Sequence, residues 1–219
     1  FCNLATLNLM AFVKDGIFDQ TGANAAICLA TRLSSRATNI TVSLPEWDYV
    51  QKRDRLLGIS ITGVMDCFDS LGIEFDSNKA KTILNTLRDY ANEEASSYAS
   101  EMRIPRPMLV TCIKPEGTLS QLPTVSSGLH RAYAPYFIRR IRASKMDPAA
   151  KAMQAVGIPN EPDQGKAERL VFSFPIKSGA SFSAAEESAK RQFERYLMTM
   201  KEFTDHNSSC TLTVGENEW

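Results

Sequence analysis

The run Thr111-Cys-Ile-Lys114-Pro115-Glu116-Gly117-Thr118-Leu119-Ser120, continuing to Ser126-Ser-Gly-Leu-His130, has the residue types of an anion-binding turn. An apolar stretch from Met108 to Ile113 breaks at Lys-Pro. A glycine then lets an anion approach the backbone, and the hydroxyls of Thr118 and Ser120 flank an apolar residue. N–H groups at the start of a following helix or turn are unpaired and would face a phosphate. Strand-Pro-x-Gly-Thr is also a common tight turn, and on spacing alone that plain reading is the better one.

Thiol chemistry is the second possibility. An exchange cysteine must be reachable by a thiolate partner and must sit beside its mate in space. Five cysteines (Cys2, Cys28, Cys67, Cys112 and Cys210) are widely spaced and form no Cys-x-x-Cys. By residue type alone each is a packing residue, because free cysteine is among the most buried side chains. The two histidines, His130 and His206, have no carboxylate or cysteine at ligand spacing, so no metal site is expected and both are read as loop or cap hydrogen-bonding groups. The cluster Arg139, Arg140 and Arg142 is read as a salt-bridged strand exit.

The elements that must position these groups alternate between strand and helix. Asn3 to Met10 reads as a buried strand, Gly22 to Ala37 as a helix, and Gly58 to Ile61 as a short strand entering a helix from Val64 to Leu71. Asp76 or Ser77 caps a long amphipathic helix ending near Arg103, and Pro105-Arg-Pro107 then launches the strand that carries the turn. Beyond it come a strand from Tyr136 to Arg142, a helix from Pro148 to Val156 and a Pro/Asn/Asp-rich loop from Gly157 to Gln164. A strand from Leu170 to Ile176, a helix from Ala184 to about Thr204 and a final strand from Cys210 to Val214 complete the pattern. Such alternation is α/β. Pro45 to Gln51 and the Gly157 to Gly165 stretch are the only linker candidates, neither has the look of a domain boundary, and residues 1–219 read as a single segment.

Composition bounds the function. The 219 residues are 43% hydrophobic and 23% charged, enough to bury a sizeable core. Lysine plus arginine equals aspartate plus glutamate, 25 each, so no global field favours nucleic acid and a nucleotide must be held locally. Odd, scattered cysteines without a signal peptide fit a reducing, cytoplasmic setting. No apolar run approaches a membrane span.

The block from Lys114 through Gly117, Ser120, Gly128, His130 and Tyr136 to Arg142 closely resembles the large chains of adenosylcobalamin-dependent ribonucleotide reductases. Cys2-Asn-Leu-Ala-Thr-Leu-Asn-Leu9 and Asp54-Arg-Leu-Leu-Gly-Ile-Ser-Ile-Thr-Gly63 match the same family in order, and Asp205 to Val214 is similar to a late strand of it. The long central block is far more specific than any short pattern. The resemblance implies an incomplete portion of a ten-stranded α/β barrel that reduces ribonucleotides to deoxyribonucleotides by thiyl-radical chemistry. It implies that Cys2 is one half of a redox thiol pair, and that Pro115, Glu116, Gly117, Thr118 and Ser120 hold the substrate phosphates, Thr118 and Ser120 foremost. Glu116 departs from the pattern: many relatives carry a small residue there, and a carboxylate repels phosphate unless it points away. Cys28, Cys67, Cys112 and Cys210 match no motif and are assigned to the core.

Adenosylcobalamin is the implied cofactor, with a ribonucleotide substrate and a thioredoxin-like or other dithiol reductant as partners. The family's Cys-Gly-Glu motif, with its radical-carrying cysteine and partner glutamate, occurs nowhere in the 219 residues. The expectation is therefore a C-terminal part of the barrel, inactive alone and partnered by a missing N-terminal part of the same polypeptide. A di-metal reductase large chain and a non-catalytic nucleotide-binding module of the same fold are the alternatives. The Lys-Pro-x-Gly-Thr and Ser-Gly-x-His wording favours the cobalamin type.

Overall fold

The computed structural model describes residues 2–178 and 183–218, and their contacts fall into two compact units. The first holds the thiol and turn segments. Strand β1 (Asn3–Asn8) runs into a single 3-10 turn, a two-residue hairpin of β2 (Val13–Lys14) and β3 (Ile17–Phe18), and helix α1 (Gln20–Ala37). Asp19 caps α1 by accepting the Gly22 N–H at 2.9 Å. Helix α2 (Pro45–Asp54) follows, then β4 (Leu57–Thr62), α3 (Val64–Ser70) and α4 (Asn78–Met102). Ser77 caps α4 and left-handed Arg103 ends it, as the sequence pattern predicts.

Strand β1 pairs in parallel with β4 from Asn3–Leu57 to Asn8–Thr62. The chain at Thr111 bridges β4 in parallel at Ile59, and Ile113 bridges Ser208 in parallel. Four parallel segments thus lie side by side with helices between them in sequence, the connection that parallel pairing requires. Among the described residues the outer edge of β1 has no strand partner, so the sheet stays open, as expected for an incomplete barrel. Leu57, Ile59 and Ile61 point to the helix side, where they are wholly buried with Leu7, Ile27, Leu84 and Leu87. The other side of β4 carries only Gly58, Ser60 and Thr62.

The chain from 133 to 178 forms the second unit. Strand β5 (Tyr136–Ser144), helix α5 (Pro148–Ala155), β6 (Asn160–Asp163) and β7 (Lys166–Lys177) make an antiparallel sheet in the order β5-β7-β6 around Ala150, Leu170 and Phe172. The 157–164 stretch, expected to be all loop, supplies β6. It is an exposed edge that tolerates Pro162 because one side of its backbone needs no partner, so its composition hides it. The arginine cluster is a salt-bridged strand, as expected: Arg140 pairs with Glu161, Arg142 with Asp163 at 3.5 Å, and Arg139 stacks over Phe137.

After it the chain returns to the first unit as α6 (Ala189–Glu202). Three expectations need correction. Residues 45–51 are not a linker but most of α2, with Pro45 in its first turn, acids Glu46 and Asp48 near its start and Lys52 and Arg53 near its end, which suits the helix dipole. Helix α6 starts five residues later than Ala184, because Ser188 takes the cap by accepting the Arg191 N–H. Cys210 to Val214 is no strand. Its backbone is satisfied by side chains instead: Thr211 N–H donates to His130 Nε2 at 2.8 Å, and Thr213 exchanges hydrogen bonds with the Gln192 amide. No described helix is long and apolar enough to cross a membrane.

Candidate active site

Side chains of one parity on the parallel strands share the inner face of the sheet: Cys2, Leu4 and Thr6 from the first strand, Gly58, Ser60 and Thr62 from the second. Leu4 is 59% exposed there. A Cβ on Gly58 would stand 2.7 Å from Cys2 Sγ and 3.3 Å from Cys112 Sγ, so the missing side chain opens the space in which the two thiols meet. The S–H of Cys112 hydrogen-bonds the Cys2 sulfur and lowers the Cys2 thiol to about 6. Burial opposes this shift, while Lys114 and then His206 assist it with positive charge. Cys112 is pushed the other way, first by that same contact and then by burial. Cys112 is buried, as its assignment to the core expects, and it also faces Cys2. Its position in the chain carries no signal of this, since the pairing of 109–112 with β4 is irregular and simple alternation breaks down there.

The turn follows directly. The Lys114 N–H donates to Ser60 Oγ at 3.0 Å, which ties the end of the third segment to β4. The sequence places the reversal on a glycine, but the left-handed residue is Glu116, at φ 55°. Its carbonyl accepts the Ser120 N–H at 2.9 Å, and its buried carboxylate accepts the Thr6 hydroxyl at 2.6 Å. The carboxylate of Glu116 is thereby engaged on β1, while the residue braces the turn against that strand. A carboxylate that only accepts has nothing to offer a phosphate, and its contact with Thr6 explains how an acid is accommodated at this place.

Pro115, Gly117 and Thr118 are exposed, and Ser120 is buried in the short 3-10 turn Leu119–Gln121. Among the described residues the N–H groups of Gly117 and Thr118 meet no acceptor. A Cβ at Gly117 would meet nothing within 4 Å. The fold itself does not require glycine there; an anion approaching the backbone would.

The 126–130 loop closes behind the turn. Ser126 is held by the Asp66 carboxylate through its N–H at 2.9 Å and through its hydroxyl, and Gly128 N–H donates to Thr62 Oγ1 at 3.0 Å. His130 Nδ1 lies 2.9 Å from the Ser127 carbonyl while Nε2 accepts from Thr211, partners that assign the proton to Nδ1. Burial holds this imidazole below its ordinary value, so it stays neutral. A base whose folded value is depressed contributes stability that is complete above its unfolded value, about 6.5, and is lost as pH falls through the folded value. The unfolding midpoint in urea should therefore drop between pH 7.5 and pH 5 by more in the natural chain than in His130→Gln; equal drops would remove His130 from this account. His206 differs from the expected cap group: its Nε2 is buried without a hydrogen-bond partner among the described residues.

Comparison with known proteins bears on the family and the fold. Residues 1–107 match the sequence model of the ribonucleotide reductase barrel domain. A putative adenosylcobalamin-dependent ribonucleoside-triphosphate reductase of Mycobacterium phage D29 is 36% identical over 151 residues, 67% of this chain and 22% of the relative. The adenosylcobalamin-dependent ribonucleoside-triphosphate reductase of Lacticaseibacillus paracasei is 28% identical over 246 residues, 99% of this chain and 32% of the relative. The chain thus spans between about a fifth and a third of the length of these relatives. The crystal structure of a B12-dependent class II ribonucleotide reductase superposes with a TM-score of 0.77 at 24% identity, over 87% of this chain and 30% of that one. The class Id alpha subunit of Actinobacillus ureae reaches 0.55 at 16% identity, over 90% and 41%. At such identities the two structures bear on the fold alone.

Proposed function

We propose that this chain, which carries part of the ribonucleotide reductase barrel, supplies the exchange thiol and the substrate phosphate turn of an adenosylcobalamin-dependent ribonucleoside-triphosphate reductase. The observation that carries the reading is the placement of an acidified thiol, Cys2, and a turn with unpaired N–H groups on one sheet face. Thr6, which touches the turn through Glu116, lies four residues along β1 from Cys2, about 13 Å at the rise of a strand. A ribonucleotide with its phosphates on Gly117 and Thr118 reaches down this face toward the thiol. Reduction at the ribose then consumes two thiols: the carbon–oxygen bond breaks, water leaves, and Cys2 and its mate close as a disulfide. A dithiol reductant of the thioredoxin class reopens it by exchange. The names of the relatives support the cobalamin type over a di-metal enzyme.

A cavity of about 600 Å³ is lined by paired charges, Asp69, Arg131 and Glu187 among them, and no three His, Cys, Asp or Glu side chains come together as a metal-holding group among the described residues. When bound, the cofactor supplies the radical; this chain's own residues bind phosphate and carry exchange chemistry. The setting is a reducing, cytoplasmic one.

The test is formation of deoxyribonucleotide from a ribonucleoside triphosphate by the full-length polypeptide, with adenosylcobalamin and a dithiol. Nucleotide binding without any product would favour the non-catalytic binding module instead. Gly117→Ala gives a finer test. Stability should change by less than about 1 kcal/mol, since nothing opposes the added methyl. Binding of the nucleoside triphosphate, measured by calorimetry, should weaken about tenfold as the methyl enters the anion's space; undiminished binding would place the phosphates elsewhere.

A further inference from the structure

We propose that Cys112 is a positioning residue for Cys2: across the gap left by Gly58 its S–H donates to the Cys2 sulfur and makes Cys2 the thiolate-bearing cysteine of the inner face. This rests on the reading of Cys2 as an exchange thiol and names the group that prepares it. Three facts of geometry carry it. The two sulfurs converge on one point, 2.7 and 3.3 Å from where a Gly58 Cβ would be. Cys112 is only 1% exposed, so water does not compete for its S–H, whereas Cys2 is half-buried and reachable. The cysteines also flank β4, on either side of it.

The charges around the pair favour the same assignment. Cys2 faces the Lys114 ammonium and His206, both of which stabilise its anion. Glu116 faces Cys112 and disfavours an anion there, although Lys114 acts on both thiols. Cys112 therefore keeps its proton and Cys2 gives its proton up. His206 Nε2, buried without a partner among the described residues, adds a polar group with no other employment beside the pair.

The experiment is alkylation of Cys2 by iodoacetamide in the folded chain, without nucleotide or cofactor, followed by peptide mass spectrometry across pH 5 to 10. The natural chain should show a midpoint near 6. Cys112→Ala should raise it by at least about one pH unit, a tenfold loss of thiolate at low pH. Cys112→Ser, which keeps a donor, should restore most of the depression, an effect that loss of packing alone would not produce. Gly58→Ala should raise the midpoint as well by separating the sulfurs; thermal melts confirm that each variant is folded. An unchanged midpoint in Cys112→Ala, or equal midpoints for alanine and serine, overturns the proposal. So does a Cys2–Cys112 disulfide formed in the native chain by oxidised glutathione. The readout needs no turnover, so an inactive full-length enzyme with the predicted titration would refute the reductase reading alone.

Discussion

Cys2→Ser in the full-length protein should abolish deoxyribonucleotide formation, with turnover falling at least about a thousandfold, as happens when a group that enters covalent chemistry is removed. Binding of the nucleoside triphosphate should stay within about twofold, because the turn at Gly117 and Thr118 is carried by a different segment from the one that carries Cys2. This split separates an exchange thiol from a packing cysteine. Serine fills the same space beside Gly58, yet cannot form or accept a disulfide. In a single turnover without reductant the natural enzyme should end with Cys2 oxidised, read by mass spectrometry after blocking free thiols. Normal turnover in the serine variant would refute the role.

Asp205→Ala should cost about 3 kcal/mol of folding free energy. Its carboxylate, mostly buried, accepts from the Val110 and Thr111 N–H groups at 3.3 and 3.2 Å, from Asn92 Nδ2 at 3.1 Å and from Arg88 at 3.1 Å. One side chain thus fastens the third parallel segment, which carries Cys112 and leads to the turn, to helix α4. Deleting it leaves two strand N–H groups without an acceptor and takes the ion-pair partner from Arg88. Burial by itself would raise this acid, but Asn92, Thr111, Arg88 and Val110 hold it below the ordinary carboxylate value. A depressed carboxylate contributes stability that is present above its unfolded value, about 3.9, and is lost as pH falls through the folded value. Denaturant unfolding at pH 7 should show the full difference between the natural chain and Asp205→Ala, and the two curves should approach each other near pH 3. A constant gap across that range would mean that the ionised form contributes nothing.

Much of the molecule was legible in the amino acids because local rules decide it. Periodicity and caps located α1, α3 and α4, since the apolar stripe of Ile83, Leu84, Leu87 and Ala91 and the Ser77 cap are properties of consecutive residues. Lys114 to Arg142 and the Cys2-Asn-Leu start pointed to the reductase barrel, and Ser-Gly-x-His gave a loop in which His130 hydrogen-bonds as expected. Tertiary structure decided the rest. Glu116 takes the left-handed position because Thr6, 110 residues earlier, holds its carboxylate. Residues 160–163 become a strand because β7 offers an edge, and 210–214 do not because His130 and Gln192 satisfy that backbone first. Cys112 reads as an ordinary core residue in every local window. Its meeting with Cys2 depends on the register of three segments and on a glycine in the middle one, and such a coincidence belongs to no single stretch of chain.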